Sequence, residues 1–76
     1  MNKQVQTVYE SCQAGSSWES SGNTAVSLET AETASQFIDG SNLGDVECVP
    51  LPDGTLEISF DGRIYDIVDS FVKKRV

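Results

Sequence analysis

The second half of the chain alternates apolar and polar residues with a period of two, and the alternation is broken twice by turn signals. Residues 46–51, 55–60 and 63–68 read as strands, separated by Pro52-Asp53-Gly54 and by Asp61-Gly62. The second signal suits a two-residue type I′ turn, and the first a three-residue loop with glycine in the left-handed region. Each turn fixes a register. Around Asp61-Gly62, Phe60 faces Arg63, Ile58 faces Tyr65, Leu56 faces Ile67 and Glu57 faces Asp66. Around the first turn, Pro50 faces Leu56, Cys48 faces Ile58 and Val46 faces Phe60. Both registers put Val46, Cys48, Leu56, Ile58, Phe60, Tyr65 and Ile67 on one face, an agreement between independent local signals that favours the assignment. Glu47, Val49, Glu57, Ser59, Ile64 and Asp66 take the other face. Residues 70–76 read equally as a last strand or a short helical tail.

The first half carries one clear helix. Ser27 suits an N-cap, Glu29 and Glu32 fall in the first turns where the macrodipole favours negative charge, and Gly40 suits a C′ position, which predicts a helix over residues 28–39. Leu28, Ala31, Ala34, Phe37 and Ile38 are expected on its buried side, with Glu29, Glu32, Gln36 and Asp39 in a stripe on the other. Upstream, Val5-Gln6-Thr7-Val8-Tyr9 is rich in β-formers and reads as a strand. Residues 11–24 read as a long loop or an irregular strand anchored by Trp18, and Thr24-Ala25-Val26 as a short strand before the helix. The resulting expectation is a single α+β domain over residues 1–76, one helix packed on an antiparallel sheet that ends in a three-strand meander. Phe37, Ile38, Leu56, Ile58 and Phe60 are expected to form its core.

Length narrows the functional classes. A chain of 76 residues buries only about 60% of the surface its unfolded form exposes, which leaves little room for an enclosed substrate cavity. No apolar run approaches the roughly 20 residues that span a bilayer, and no apolar segment follows Lys3, so a cytoplasmic location is the default expectation. Two cysteines without histidine or a CxxC pair do not make a zinc site, and both are expected as free thiols.

Catalytic signatures are absent from the sequence. There is no histidine to act as a general base, and Gly15-Ser16-Ser17-Trp18 lacks the Gly-x-Ser-x-Gly elbow. The run from Asp39 to Glu47 has oxygen-bearing side chains, but Leu43 and Pro50 stand where a calcium loop needs ligands. No enzyme activity, cofactor or metal is therefore expected.

Charge changes the picture. The chain has a net charge of -7; residues 4–62 hold ten acids and no lysine or arginine, while four of the five bases are Arg63, Lys73, Lys74 and Arg75. Such a field repels nucleic acid and membrane surfaces and attracts basic proteins. The expected Glu57–Asp66 pair sets like charges opposite one another on neighbouring strands, a local liability unless Lys73, Lys74 or Arg63 folds over it.

Acidic side chains spaced along a surface can imitate the phosphates of a duplex. A strand, then Thr24-Ala25-Val26-Ser27-Leu28-Glu29-Thr30-Ala31 running into one helix, then a meander, resembles very small phage-encoded inhibitors of host defence, anti-CRISPR proteins above all. The resemblance lies in the order of elements and implies inhibition by binding. The functional expectation is an inhibitor whose acids, Glu29, Glu32 and Asp39 on the helix or Glu47, Glu57 and Asp66 on the sheet, contact a basic surface of a nucleic-acid-binding protein or complex. Direct contact with nucleic acid or membrane is not expected. The alternative is an interaction or assembly module that self-associates as a homodimer through a sheet edge or through Val49 and Ile64.

Overall fold

The computed structural model describes residues 1–13 and 15–75 and has an α+β architecture. Among the described residues the elements are α1 (Lys3–Ser11), α2 (Ser17–Ser20), α3 (Leu28–Gly40), β1 (Glu47–Pro50), β2 (Leu56–Phe60), β3 (Arg63–Val68) and β4 (Phe71–Arg75). The strands form one antiparallel sheet in the order β1-β2-β3-β4.

The meander follows the sequence reading closely. Cys48 and Pro50 face Ile58 and Leu56, and Leu56, Glu57, Ile58 and Phe60 face Ile67, Asp66, Tyr65 and Arg63. Asp61 and Gly62 both have positive φ, 49° and 74°, as a type I′ turn requires. Gly54 has φ 90°, and a Cβ there would lie 3.1 Å from Thr24 Cγ2 and 3.2 Å from the Ala25 carbonyl oxygen. The β1–β2 loop is thus pressed against the segment leading into α3, which it also engages through the Thr24 N–H donating to the Pro52 carbonyl at 2.8 Å. Residues 24–26 form no strand: beside the Thr24 bond to Pro52, the Val26 N–H donates to the Cys12 carbonyl at 3.2 Å.

The N-terminus departs from the expected strand. Residues 3–11 are the helix α1, because Val5, Val8, Tyr9 and Cys12 recur at the i, i+3, i+4, i+7 spacing of one helical face, a pattern that overrides the β-propensity of valine and tyrosine. Val5 and Cys12 are buried, and Val8 and Tyr9 pack beside them. Asn2 supplies the cap, its Oδ1 accepting from the N–H groups of Gln4 at 2.9 Å and Val5 at 3.2 Å. In the loop that follows, the one-turn α2 carries Trp18, whose indole N–H donates to the Thr24 carbonyl at 2.7 Å. The sheet is thus covered by α1 and α3 together, and the strand–helix–meander order is replaced by helices followed by a meander.

Helix α3 begins where Ser27 Oγ accepts from the Thr30 N–H at 3.1 Å. It ends one residue later than expected: Gly40 stays helical, and Asn42, at φ 54°, takes the left-handed C′ position. The Leu43 N–H donates to the Ile38 carbonyl and the Asn42 N–H to the Asp39 carbonyl, both at 3.3 Å, the pair of bonds that defines a Schellman ending.

One core unites the layers: Val5, Cys12, Val26, Ala31, Ala34, Ile38, Leu56, Ile58 and Ile67 are all buried. Phe37, expected in the core, packs half-buried against it, and two further residues expected to be buried, Phe60 in the core and Leu28 on the inner side of the helix, lie elsewhere. Phe60 is only half-buried at the end of β2, stacked on Tyr65 with ring centroids 5.9 Å apart. Leu28 is 52% exposed because at 100° per residue it stands about 90° around α3 from the buried centre marked by Ala31, Ala34 and Ile38.

Candidate protein-binding surface

The six acids of the sequence reading divide between two surfaces of different character. Glu29, Glu32 and Asp39 lie exposed on α3, and with Gln36 they fall within about 80° of arc along about 15 Å of helix. No lysine or arginine occurs in α3. The stripe borders a shallow groove lined by Met1, Leu28, Glu32, Ser35, Gln36 and Asp39, in which Met1 and Leu28 are each more than half exposed. Asp39 accepts from Asn2 Nδ2 at 3.0 Å. The residue that caps α1 thereby holds the C-terminal end of the acidic stripe.

Glu47, Glu57 and Asp66 lie on the sheet face that neither α1 nor α3 covers. Glu57 and Asp66 face one another across β2 and β3, as the register requires. Arg75 reaches back over β3 and joins them: its Nη1 lies 2.7 Å from Glu57 Oε1, its Nε donates to Asp66 Oδ2 at 3.1 Å, and its Nη2 pairs with Asp66 Oδ1. These bonds, Asp66 first and then Glu57, raise the pKa of the guanidinium. Lys73 stands directly opposite Asp66 on β4. The base over the acid pair is therefore Arg75 rather than Lys73, Lys74 or Arg63. Its reach follows from residues 71–75 being a strand whose odd-numbered members share a face with Glu57 and Asp66.

The two surfaces thus differ in available charge. On the sheet, Glu57 and Asp66 are engaged within the molecule and Glu47 alone of the three stands exposed without an ion pair among the described residues. On α3, all three acids are exposed and none is in an ion pair among the described residues. Val49 and Ile64 lie on the open sheet face and are half-buried.

Cys12 and Cys48 are free thiols inside the fold. Burial, and secondarily Cys12, pushes the Cys48 thiol up to about 11, so it stays protonated and weakly nucleophilic at neutral pH. Among the described residues no helix is long and apolar enough to cross a membrane. Compared with known proteins, the chain matches no family model, no curated protein and no solved structure.

Proposed function

We propose that the chain is a non-enzymatic binding protein that lays the acidic face of α3 on a basic, nucleic-acid-binding surface of another protein or complex and so blocks it. The observation that carries this reading is the stripe Glu29, Glu32 and Asp39, exposed, without an ion pair among the described residues, and bordered by exposed Leu28 and Met1. Lysine and arginine side chains that normally hold phosphates have charged heads for the carboxylates and apolar stems for Leu28 and Met1. Successive acids on the stripe are about 4.5 Å and 10.5 Å apart along the axis; the second interval is close to three phosphate steps of about 3.4 Å along one strand, and the first falls between one and two. Of the two acidic surfaces considered, α3 is favoured because the sheet acids are largely answered by Arg75.

A CRISPR effector complex is one instance of such a target, although the strand–helix–meander order that suggested it is not the order found, and the purified chain should displace labelled target DNA from such a complex in a salt-dependent manner. Failure to displace DNA from a panel of effector complexes at low salt would remove that instance. Self-association through the sheet is the competing reading, favoured by exposed Phe71 and Val72 on β4. It calls for a concentration-dependent dimer that salt hardly affects.

A further inference from the structure

We infer that the free edge of β4 is a docking site for an extended acidic segment of a partner protein, which adds to the sheet as a fifth strand. This inference does not rest on the reading of α3.

The two edges of the sheet are unequal. In a hairpin closed by two residues, the pair flanking the turn exchanges both backbone hydrogen bonds and alternate pairs follow suit. Asp61-Gly62 closes β2–β3, so Phe60–Arg63, Ile58–Tyr65 and Leu56–Ile67 are the bonded pairs there. Asp69-Ser70 closes β3–β4, with Asp69 at φ 52°, so Val68–Phe71, Asp66–Lys73 and Ile64–Arg75 are bonded. The two assignments are mutually consistent, since Tyr65 and Ile67 turn toward β2 and their neighbours toward β4. Val72 and Lys74 are therefore left with N–H and C=O groups directed away from the sheet.

On the opposite edge, the same alternation directs Cys48 and Pro50 outward from β1, and Pro50 has no N–H to donate. The adjoining Val46 carbonyl already accepts from Gln4 Nε2 at 3.3 Å. Among the described residues β4 is thus the more open edge, since within β1 only half-buried Cys48 keeps an outward N–H whereas every residue of β4 is exposed, Phe71 by 70%.

Charge selects the occupant. Lys73, Lys74 and Arg75 are consecutive, with Lys73 and Arg75 on one face of the sheet and Lys74 on the other. The antiparallel register that overlaps all of β4 with a second copy of β4 sets Lys73 against Lys73, and like charges opposite one another oppose that pairing. An incoming strand with carboxylates on both faces meets a base on each face, gains the backbone bonds of Val72 and Lys74, and rests its apolar residues on Phe71 and Val72.

Fluorescence anisotropy with a labelled peptide repeating Glu-Glu-Val-Val, which as a strand carries carboxylates and valines on both faces, tests this, beside a Lys-Lys-Val-Val repeat and a thymidine oligonucleotide of similar length. The glutamate peptide should bind and the lysine peptide should not. The Lys73→Glu/Lys74→Glu variant should reverse that preference, and Val72→Pro, which deletes an outward N–H without deleting a bond to β3, should weaken binding at least about tenfold. Circular dichroism checks that each variant is folded; if Val72→Pro is not, the charge-reversed variant decides alone. Equal binding of the two peptides, no change on charge reversal in a folded protein, preferential binding of the oligonucleotide, or a β4-dependent dimer in sedimentation would each overturn the inference.

Discussion

Arg75 on β4 and Glu57 on β2 are separated by a whole strand, yet their side chains meet at 2.7 Å over β3, with Asp66 beneath them. The contact turns a repulsive pair into a three-residue charge cluster on the open face of the sheet, and it attaches the C-terminal strand to the centre of the sheet as well as to its neighbour.

The effect of removing an acid should therefore depend on Arg75. With Arg75 present, Glu57→Thr should bring no gain in stability, because the repulsion it would relieve is already offset. In an Arg75→Met background the same change should stabilise by up to about 1 kcal/mol as the bare Glu57–Asp66 repulsion returns. Urea denaturation of the two single variants and the double variant measures the coupling. Equal effects of Glu57→Thr in both backgrounds would show that Arg75 does not bridge the pair.

Thr30 joins the start of α3 to the β3–β4 turn. It is buried, and its Oγ1 accepts from the Asp69 N–H at 2.8 Å and lies 2.9 Å from Ser27 Oγ. Thr30→Val keeps the shape but removes the acceptor, and should cost about 1 kcal/mol in urea denaturation. Thr33→Val, a half-buried position on the same helix, should change stability by less than about 0.5 kcal/mol.

Cys48 gives the fold a dependence on alkaline pH. Its thiol titrates near 11 in the folded chain against an ordinary value of 9.0, so the fold favours the protonated form. Stability from this source is intact below pH 9 and declines as pH rises from 9 through 11. The decline measured by urea titration across that window should be shallower in Cys48→Val, and at pH 8 alkylation of Cys48 in the native protein should be slow compared with the unfolded chain. An unchanged pH profile in Cys48→Val would assign the decline to other groups.

The meander was legible because Asp61-Gly62 and Pro52-Asp53-Gly54 are specific about geometry: two turns determined the face of every residue between Cys48 and Ile67. Helix α1 was not, because Val5, Val8 and Tyr9 are β-formers whose helical spacing becomes evident only when Cys12 is counted with them. Arg75 was missed for a related reason. Phe71-Val72-Lys73-Lys74-Arg75 fits a strand or a helical tail, and the side on which each base emerges depends on that choice. For the acids the sequence located both surfaces, but the difference between them, engaged on the sheet and unengaged on α3, is a matter of long-range contacts.

Engagement of a basic target by the acidic face of α3 is decided by matched charge reversal in the DNA-displacement assay. Glu29→Lys/Glu32→Lys alters α3, and Asp45→Lys/Glu47→Lys alters exposed acids at the β1 side by the same formal charge. All four positions are exposed, so both variants should keep the circular dichroism of the parent. The α3 variant should lose displacement of DNA by at least about tenfold, while the β1 variant should stay within about threefold of the parent, since a charge outside the contact acts mainly through association rate. Equal displacement by the α3 variant and the parent at physiological salt would contradict the account.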